Sequence, residues 1–406
     1  MTKVCHITYS HKSTDTRIFH KQCVSLAKAG YDVYLVALLA KEDYEENGVK
    51  VRNVPSYSPF EFVPSRFKIV REIVLLRKAR TLYKLVKHFF KKRLAIYNTC
   101  LEIDADIYQI HEPVLLDCAI RLKKKGKKVI FDSHEDYVEI GVNRPFKSKA
   151  SRTFANFIYK VKHNFRAKKM DALITVTPHM YERFKTFNES TYMITNYPII
   201  SDYSENKTDV MSRDIIFAGG IQQQWCHELI IQALERCEDV KYILMGPVSA
   251  AKESYFNELK ELPKWDKVDF LGVLPFGEVS EKLKKAAIGM ALLKYSANTD
   301  YEKGTLGNTK LFEYMAEALP VICTDFMLWK GIVEKHKVGI CIDPNNIDEI
   351  ANAINYLINN PEAAKEMGQN GRRAVEEEFN WGEQEKKLLE LYKSFQLNST
   401  EISNKK

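Results

Sequence analysis

Residues Gly304 to Asp325 read GTLGNTKLFEYMAEALPVICTD, and the rest of the chain is organised around them. Gly304 and Gly307 loosen the backbone, and Asn308 or Thr309 can cap. Leu311, Phe312, Met315, Ala316 and Leu319 recur at threes and fours, which predicts one helix over LFEYMAEAL with a buried face. Pro320 stops that helix, and Val321, Ile322 and Cys323 predict a short apolar strand. A flexible loop feeding a helix start offers unpaired N–H groups, and the positive end of a helix dipole, to an anion. Lys310 stands in the first turn, where a cation is disfavoured unless something negative binds nearby. Glu313 lies one turn further on, on the same side as Lys310 and Thr309. An ordinary helix–strand unit with a surface Lys and Glu satisfies the same spacing. Acting together, amides on a diphosphate and a carboxylate on sugar hydroxyls describe a nucleotide sugar.

N-x-K-L-F-E-Y-M-A followed by PVI closely resembles the donor-binding element of glycosyltransferase family 4. The resemblance implies the GT-B fold: an α/β chain with two Rossmann-like domains of parallel sheet, a cleft between them, and a last helix crossing back to the first domain. It also implies a retaining transferase, with Glu313 on the nucleotide ribose and the loop Gly307, Asn308, Thr309 and Lys310 on the diphosphate. No cofactor and no catalytic metal are implied, and the donor is a UDP- or GDP-sugar. Two departures stand out. Many members carry a second glutamate eight residues before the first, where this chain has Thr305. Members often have an arginine and a lysine after the first strand of the second domain, where this chain has Gly220 and Trp225, and IQQQWCHE holds no cation. Lys310 could substitute for them. A GT-B protein that binds a nucleotide sugar or a partner without turnover is therefore an alternative. So is a sugar-nucleotide epimerase, against which the pattern around His111 argues.

At 406 residues the chain is long enough for two α/β domains, and 45% apolar with 28% charged residues are globular values. Met1-Thr2-Lys3 runs straight into VCHITY, so no signal peptide is expected, and no apolar run is long enough to span a bilayer. Eight cysteines without a C-x-x-C pair predict reduced thiols in a cytoplasmic protein. The net charge of +8 divides unevenly: residues 1–200 hold 36 Lys/Arg against 20 Asp/Glu, and residues 201–406 hold 25 against 33. That division predicts domains over 1–200 (acceptor side) and 201–380 (nucleotide-sugar side), with a polar linker at 201–213. A returning helix over 381–397 and a disordered tail over 398–406 complete the expectation.

Val4–Tyr9, a helix over Arg17–Ala29 and Tyr31–Leu39 predict a βαβ unit, hence a parallel sheet. The loop SHKSTDTRIF lies beyond a strand's carboxyl end, where such sheets place ligands. Asp15 and Arg17 either orient an acceptor there or cap and brace the helix. Ile107–Ile110 predicts a strand, and Pro113 keeps Glu112 out of helix, so His111 stands at a strand-to-loop corner. I-H-E-P is similar to a loop of family 4 mannosyltransferases whose histidine lies by the reacting sugar. That resemblance gives His111 a catalytic role beside Glu313. After the strand Lys127–Phe131, Asp132-Ser133-His134-Glu135-Asp136 would suit metal ligation in another context. With no metal implied, His134, Glu135 and Asp136 are read as an acceptor-side loop. In the second domain Gly219 and Gly220 follow a strand over Ile215–Ala218, Gly272 begins a loop expected beside the nucleobase, and Tyr295 follows Gly289–Leu293. Residues 66–93 hold eleven basic residues against one acid, and 144–169 hold nine against none. The first reads as a basic amphipathic helix, or two, for which a solvated helix face is the ordinary explanation. Two such basic segments in one domain suggest a peripheral place on an anionic membrane, at its inner face. No nucleic-acid motif accompanies the positive charge. The acceptor suggested by the family is a glycan or lipid-linked precursor of a lipopolysaccharide or capsule.

Overall fold

Short apolar runs, each buried on both faces, become two parallel sheets, as strands covered by helices on either side require. The computed structural model describes residues 1–54, 74–134, 149–203, 212–296 and 299–403, and within them all side chains but those of 74–88, 149–152, 155 and 397–403. Glu135 and Asp136, residues 66–73 and 144–148 of the basic segments, and most of the expected linker lie outside the described residues.

The first unit comprises Met1–Val176, Met180–Ile194 and Glu385–Lys406. Its strands are β1 (Lys3–Thr8), β2 (Asp32–Ala37), β3 (Tyr44–Glu46), β4 (Val49–Asn53), β5 (Ile107–Ile110), β6 (Lys128–Ser133), β7 (Ala172–Thr175) and β8 (Thr191–Met193). They lie in the order β3-β4-β2-β1-β5-β6-β7-β8, parallel except for the β3–β4 hairpin. That hairpin turns on Asn47-Gly48, both at positive φ (51° and 76°), the pair such a turn favours. The chain leaves β1 for β2 on one side and comes back to β5 on the other, so the sheet's switch point falls between β1 and β5.

The second unit comprises Thr177–His179 and Thr195–Gln384. Its strands β9 (Ile215–Ala218), β10 (Tyr242–Met245), β11 (Val268–Gly272), β12 (Ile288–Ala291), β13 (Val321–Thr324) and β14 (Gly339–Ile342) take the order β11-β10-β9-β12-β13-β14. Every pairing is parallel. The switch point falls between β9 and β12. All four tryptophans belong to this unit, and Trp225, Trp329 and Trp381 are buried.

Several elements differ from their sequence-based outlines. The helix read over LFEYMAEAL spans only Lys310–Ala316. Ala318 takes a left-handed φ of 54°, and the amides of Ala318 and Leu319 return to the carbonyls of Met315 (3.1 Å) and Tyr314 (2.9 Å). This closing pattern ends the helix before Pro320 could. The helix read over Arg17–Ala29 begins with a π-helical stretch, Thr16–Cys23, and is α-helical only over Val24–Lys28. The basic helix over residues 66–93 is helical over Val74–Ile103, well past Arg93. The final helix runs from Trp381 to Ser403, past the tail predicted from 398. Its sequence there is polar but holds no Gly or Pro to stop it. The helix starts in the second unit, and from Glu385 it belongs to the first.

Candidate active site

Each unit carries a candidate site at its switch point. In the second unit the loops after β9, β10 and β11 are tied by backbone. The Gly219 amide donates to Met245 O (2.8 Å), and the Gly246 amide donates to Gly272 O (2.7 Å). Gly246 sits at φ 138°, and a Cβ there would stand 1.8 Å from the Gly219 oxygen. Gly219 in turn lies under Lys310, whose Cε would be 2.9 Å from a Cβ on it. Lys310 Nζ donates to Glu313 Oε2 (2.8 Å), and Thr309 Oγ1 donates to Glu313 Oε1 (2.6 Å). So Thr309 caps nothing with its side chain; it holds Glu313. Gly219, Thr309, Lys310 and Glu313 therefore form one cluster, with Lys310 and Glu313 partly exposed.

The remaining donor-side residues take other places. Tyr295 donates to Asp325 and packs edge-on against Phe326. Thr305, where a glutamate was expected, is buried; its carbonyl accepts from Trp329 Nε1 (2.7 Å) and its hydroxyl from the Gly307 amide (3.0 Å). Trp225, where a cation was expected, is a core residue tilted against Phe217. Lys294, from the loop after β12, is engaged by Glu228 at 2.5 Å. Lys310 is thus the cation that the fold lays beside Gly219.

In the first unit, Asp15 caps the π-helix by accepting from the amides of Arg17 (3.0 Å) and Ile18 (2.9 Å). Arg17 and Gln22 both reach Asp132: Arg17 Nη2 donates to Oδ1 (2.9 Å), Arg17 Nε to Oδ2 (3.1 Å) and Gln22 Nε2 to Oδ2 (2.7 Å). Residues five apart fall on different faces of an α-helix, but the i→i+5 winding of a π-helix brings them together. Burial alone would raise the Asp132 carboxyl, but the Arg17 guanidinium and the His134 N–H outweigh it and hold it well below the usual carboxylate range. His111, 0% exposed, stands with Nε2 3.0 Å from His6 Nδ1 and Nδ1 2.9 Å from His134 Nε2. Burial pushes the imidazoles of His6 and His111 down, so both are neutral. Glu112, beside it, accepts from Thr8 Oγ1 (2.7 Å), the Tyr9 amide (3.0 Å) and the Ser10 amide (2.9 Å). Burial opposes the charge there, yet those donors keep its carboxyl below the ordinary range.

Five members of this network, His6, Gln22, Gln109, Glu112 and Tyr392, were not among the sequence candidates. Gln109 carried a signal, since a glutamine inside IYQI cannot sit in a fully buried strand without partners. His111, Asp132 and His134 are the one His/Cys/Asp/Glu group among the described residues whose ligand atoms all lie within 4.8 Å. Asp132 Oδ2, however, already accepts from Gln22 and Arg17, and a guanidinium stands against the same carboxylate. A cation would have to displace those donors and face Arg17, so the set matches protons better than a metal.

The two switch-point sheets define the class: the chain has the α/β fold with two parallel-sheet domains of the GT-B glycosyltransferases. Residues 201–374, which hold Gly219, Lys310 and Glu313, match the family model described as glycosyl transferases group 1. A sucrose-phosphate synthase from Thermosynechococcus elongatus is similar in structure with a TM-score of 0.72 at 15% identity, over 98% of this chain and 100% of that one. Anabaena HepE, solved in complex with UDP-glucose, is similar with a TM-score of 0.69 at 14% identity, over 97% and 100%. WaaG, a glycosyltransferase involved in lipopolysaccharide biosynthesis, is similar with a TM-score of 0.62 at 13% identity, over 96% and 98%. No curated protein matches the chain significantly in sequence.

Proposed function

We propose that this chain is a retaining glycosyltransferase of family 4 type, moving a sugar from a UDP- or GDP-sugar to a glycan or lipid-linked acceptor. The observation that carries the reading is the cluster at the β9–β12 switch point, where Glu313 is held by Thr309 and Lys310, and Lys310 lies over Gly219. A diphosphate taken by the Gly307–Thr309 loop would draw the Lys310 ammonium onto itself. Glu313 would then be released from Lys310 to accept from the ribose hydroxyls. Lys310 thereby supplies the charge that Gly220 and Trp225 do not, and steadies the leaving diphosphate as charge develops on it. HepE's complex with UDP-glucose supports the donor class, and WaaG's role in lipopolysaccharide biosynthesis supports a surface-glycan acceptor. The acceptor side is assigned to the first unit, with Asp15 and His134 around the loop after β1, Arg17 bracing that loop from its buried place on Asp132, and His111 ordering the sugar-side network from within.

A membrane surface is proposed as the setting. On the helix Lys149–Ala167, Phe154, Phe157, Val161 and Phe165 are 67%, 63%, 50% and 62% exposed, beside the exposed Lys160, Lys162, Lys168 and Lys169. Exposed aromatics set among cations suit the interface of an anionic bilayer. No described helix is long and apolar enough to cross one.

Calorimetry with UDP, GDP and UDP-glucose tests the donor assignment. Glu313→Gln keeps the shape but removes a charge-assisted hydrogen bond worth about 1.5–3 kcal/mol, so affinity should fall roughly ten- to a hundredfold. Lys310→Ala should weaken diphosphates far more than uridine or guanosine. A wild-type chain that binds no nucleoside diphosphate overturns the transferase reading and leaves a non-catalytic GT-B protein.

A further inference from the structure

The first unit's network has a direction, because Asp132 can only accept hydrogen bonds. Gln22 therefore turns its amide nitrogen to Asp132 Oδ2, at 2.7 Å, and its oxygen to Gln109 Nε2. That leaves Gln109 Oε1 facing Tyr392 Oη, which must donate to it across 2.7 Å. Tyr392 has then spent its only proton, and its oxygen accepts from His6 Nε2 at 3.2 Å. A neutral His6 protonated at Nε2 has a bare Nδ1, so His111 Nε2, 3.0 Å away, carries the next proton. His111 Nδ1 is bare in turn and accepts from His134 Nε2 at 2.9 Å. The same His134 N–H reaches Asp132 Oδ2 at 3.1 Å, closing the ring where it began. Both ends are anchored on one carboxylate, so all three imidazoles are Nε2–H tautomers.

One bare nitrogen remains, His134 Nδ1. The His134 side chain is 10% exposed while His6, His111 and Asp132 are closed off, and among the described residues nothing pairs with Nδ1. Its ring stands 5.2 Å from that of His11, which is more exposed and lies 3.3 Å from Asp15. We propose that His134 Nδ1 is a hydroxyl subsite, accepting a hydrogen bond from a sugar hydroxyl of the acceptor, and that His111, His6, Tyr392, Gln109 and Gln22 are positioning residues fixing its tautomer. The proposal deepens the transferase reading and rests on it for the identity of the hydroxyl. It moves the substrate contact from His111, whose two nitrogens are both engaged inside the unit, to the histidine at the network's outer end.

Long-range proton–nitrogen correlation spectra of the full chain with 15N-labelled imidazoles test it directly. Resonances assigned by single His→Gln changes should show His6, His111 and His134 as Nε2–H tautomers. Methyl α-D-glucopyranoside, titrated as the hydroxyl probe, should move the His134 Nδ1 resonance toward the hydrogen-bonded range and leave His111 in place. In His134→Ala, the tautomers of His6 and His111 should persist, because the Gln22–Gln109–Tyr392 side still dictates them. A protonated His134 Nδ1, or a glycoside response absent from His134 or confined to His11, overturns the proposal. Neither nucleotide nor turnover enters the measurement, so its failure is separate from a failure to bind nucleoside diphosphates.

Discussion

Asp132→Asn is the most informative single change in the first unit. Asp132 is fully buried and is the acceptor on which Arg17, Gln22 and His134 converge. Replacing one oxygen by an NH2 group does two things at once. It leaves the Arg17 guanidinium, 4% exposed, as a buried charge without its counter-ion. It also places an amide donor against either Arg17 or the donors Gln22 and His134, since Asn offers one acceptor where Asp offered two. Breaking a buried ion pair by removing one partner costs about 3–5 kcal/mol. Tryptophan fluorescence would miss the effect, because all four tryptophans are in the second unit. Native-state hydrogen exchange at the amides of Ile110 and Phe131, inside β5 and β6, reads it locally. At 1.4 kcal/mol per decade, protection there should fall roughly a hundred- to several-thousandfold. The pair Arg17→Met with Asp132→Leu should recover much of the loss, since it leaves no orphan charge. Protection within a factor of about five of wild type in Asp132→Asn, a change near 1 kcal/mol, refutes the view of Asp132 as the network's anchor.

Three further outcomes follow from named geometry. Gly246→Ala should unsettle the donor loops, since its Cβ would fall 1.8 Å from the Gly219 oxygen at a φ of 138°; UDP affinity and the melting temperature should both drop, and unchanged values would show that the Gly219–Gly246 contact is dispensable. His227 is buried against Phe217 and Tyr242, and burial holds its imidazole down to about 3 against a small opposing pull from Glu228. Its folded value lies below the 6.5 of the unfolded chain, so its contribution is whole above pH 6.5 and is lost at about 1.4 kcal/mol per unit as pH falls toward 3. His227→Phe should flatten that slope in urea melts followed by tryptophan fluorescence, and an identical slope would rule His227 out as its source. Phe157→Glu with Phe165→Glu should abolish sedimentation with anionic vesicles while UDP binding persists; sedimentation that continues, or wild-type binding equal on neutral vesicles, would remove the helix Lys149–Ala167 from that role.

The parallel sheets and the loops at their strand ends were legible because short, mostly apolar runs such as ALIT and IIFA alternate with helices, and because Asp-Ser-His and Ile-His-Glu-Pro fall at strand ends. What escaped was geometry that no local pattern encodes. Helical periodicity hid the π-helical stretch, yet that winding is what sets Arg17 and Gln22 side by side on Asp132. Tyr392 carries no local signal within the final helix, and only the fold brings it to His6 and Gln109, more than 280 residues earlier. The close of the helix at Ala316 was also illegible, since an alanine at positive φ leaves no mark comparable to a glycine.

Each unit sets a glutamate at its switch point, and the physics of their partners separates two roles that the residue name alone could not. Glu112 is 4% exposed, and it is gripped by the Tyr9 and Ser10 amides and the Thr8 hydroxyl, groups fixed by the backbone after β1. A ligand would have to break the loop to reach it, so Glu112 is a built-in anion that shapes the loop holding His11 and Asp15. The Glu313 side chain is 27% exposed, and two of its partners are a threonine hydroxyl and a lysine ammonium, one rotatable and the other on a flexible stem. Both can turn away from Glu313 without breaking the backbone, as the proposed diphosphate site requires. The first acid is spent on architecture and the second is held ready for exchange. That contrast, more than the motif around Glu313, is why the donor is assigned to the second unit and a hydroxyl of the acceptor to the outer histidine of the first.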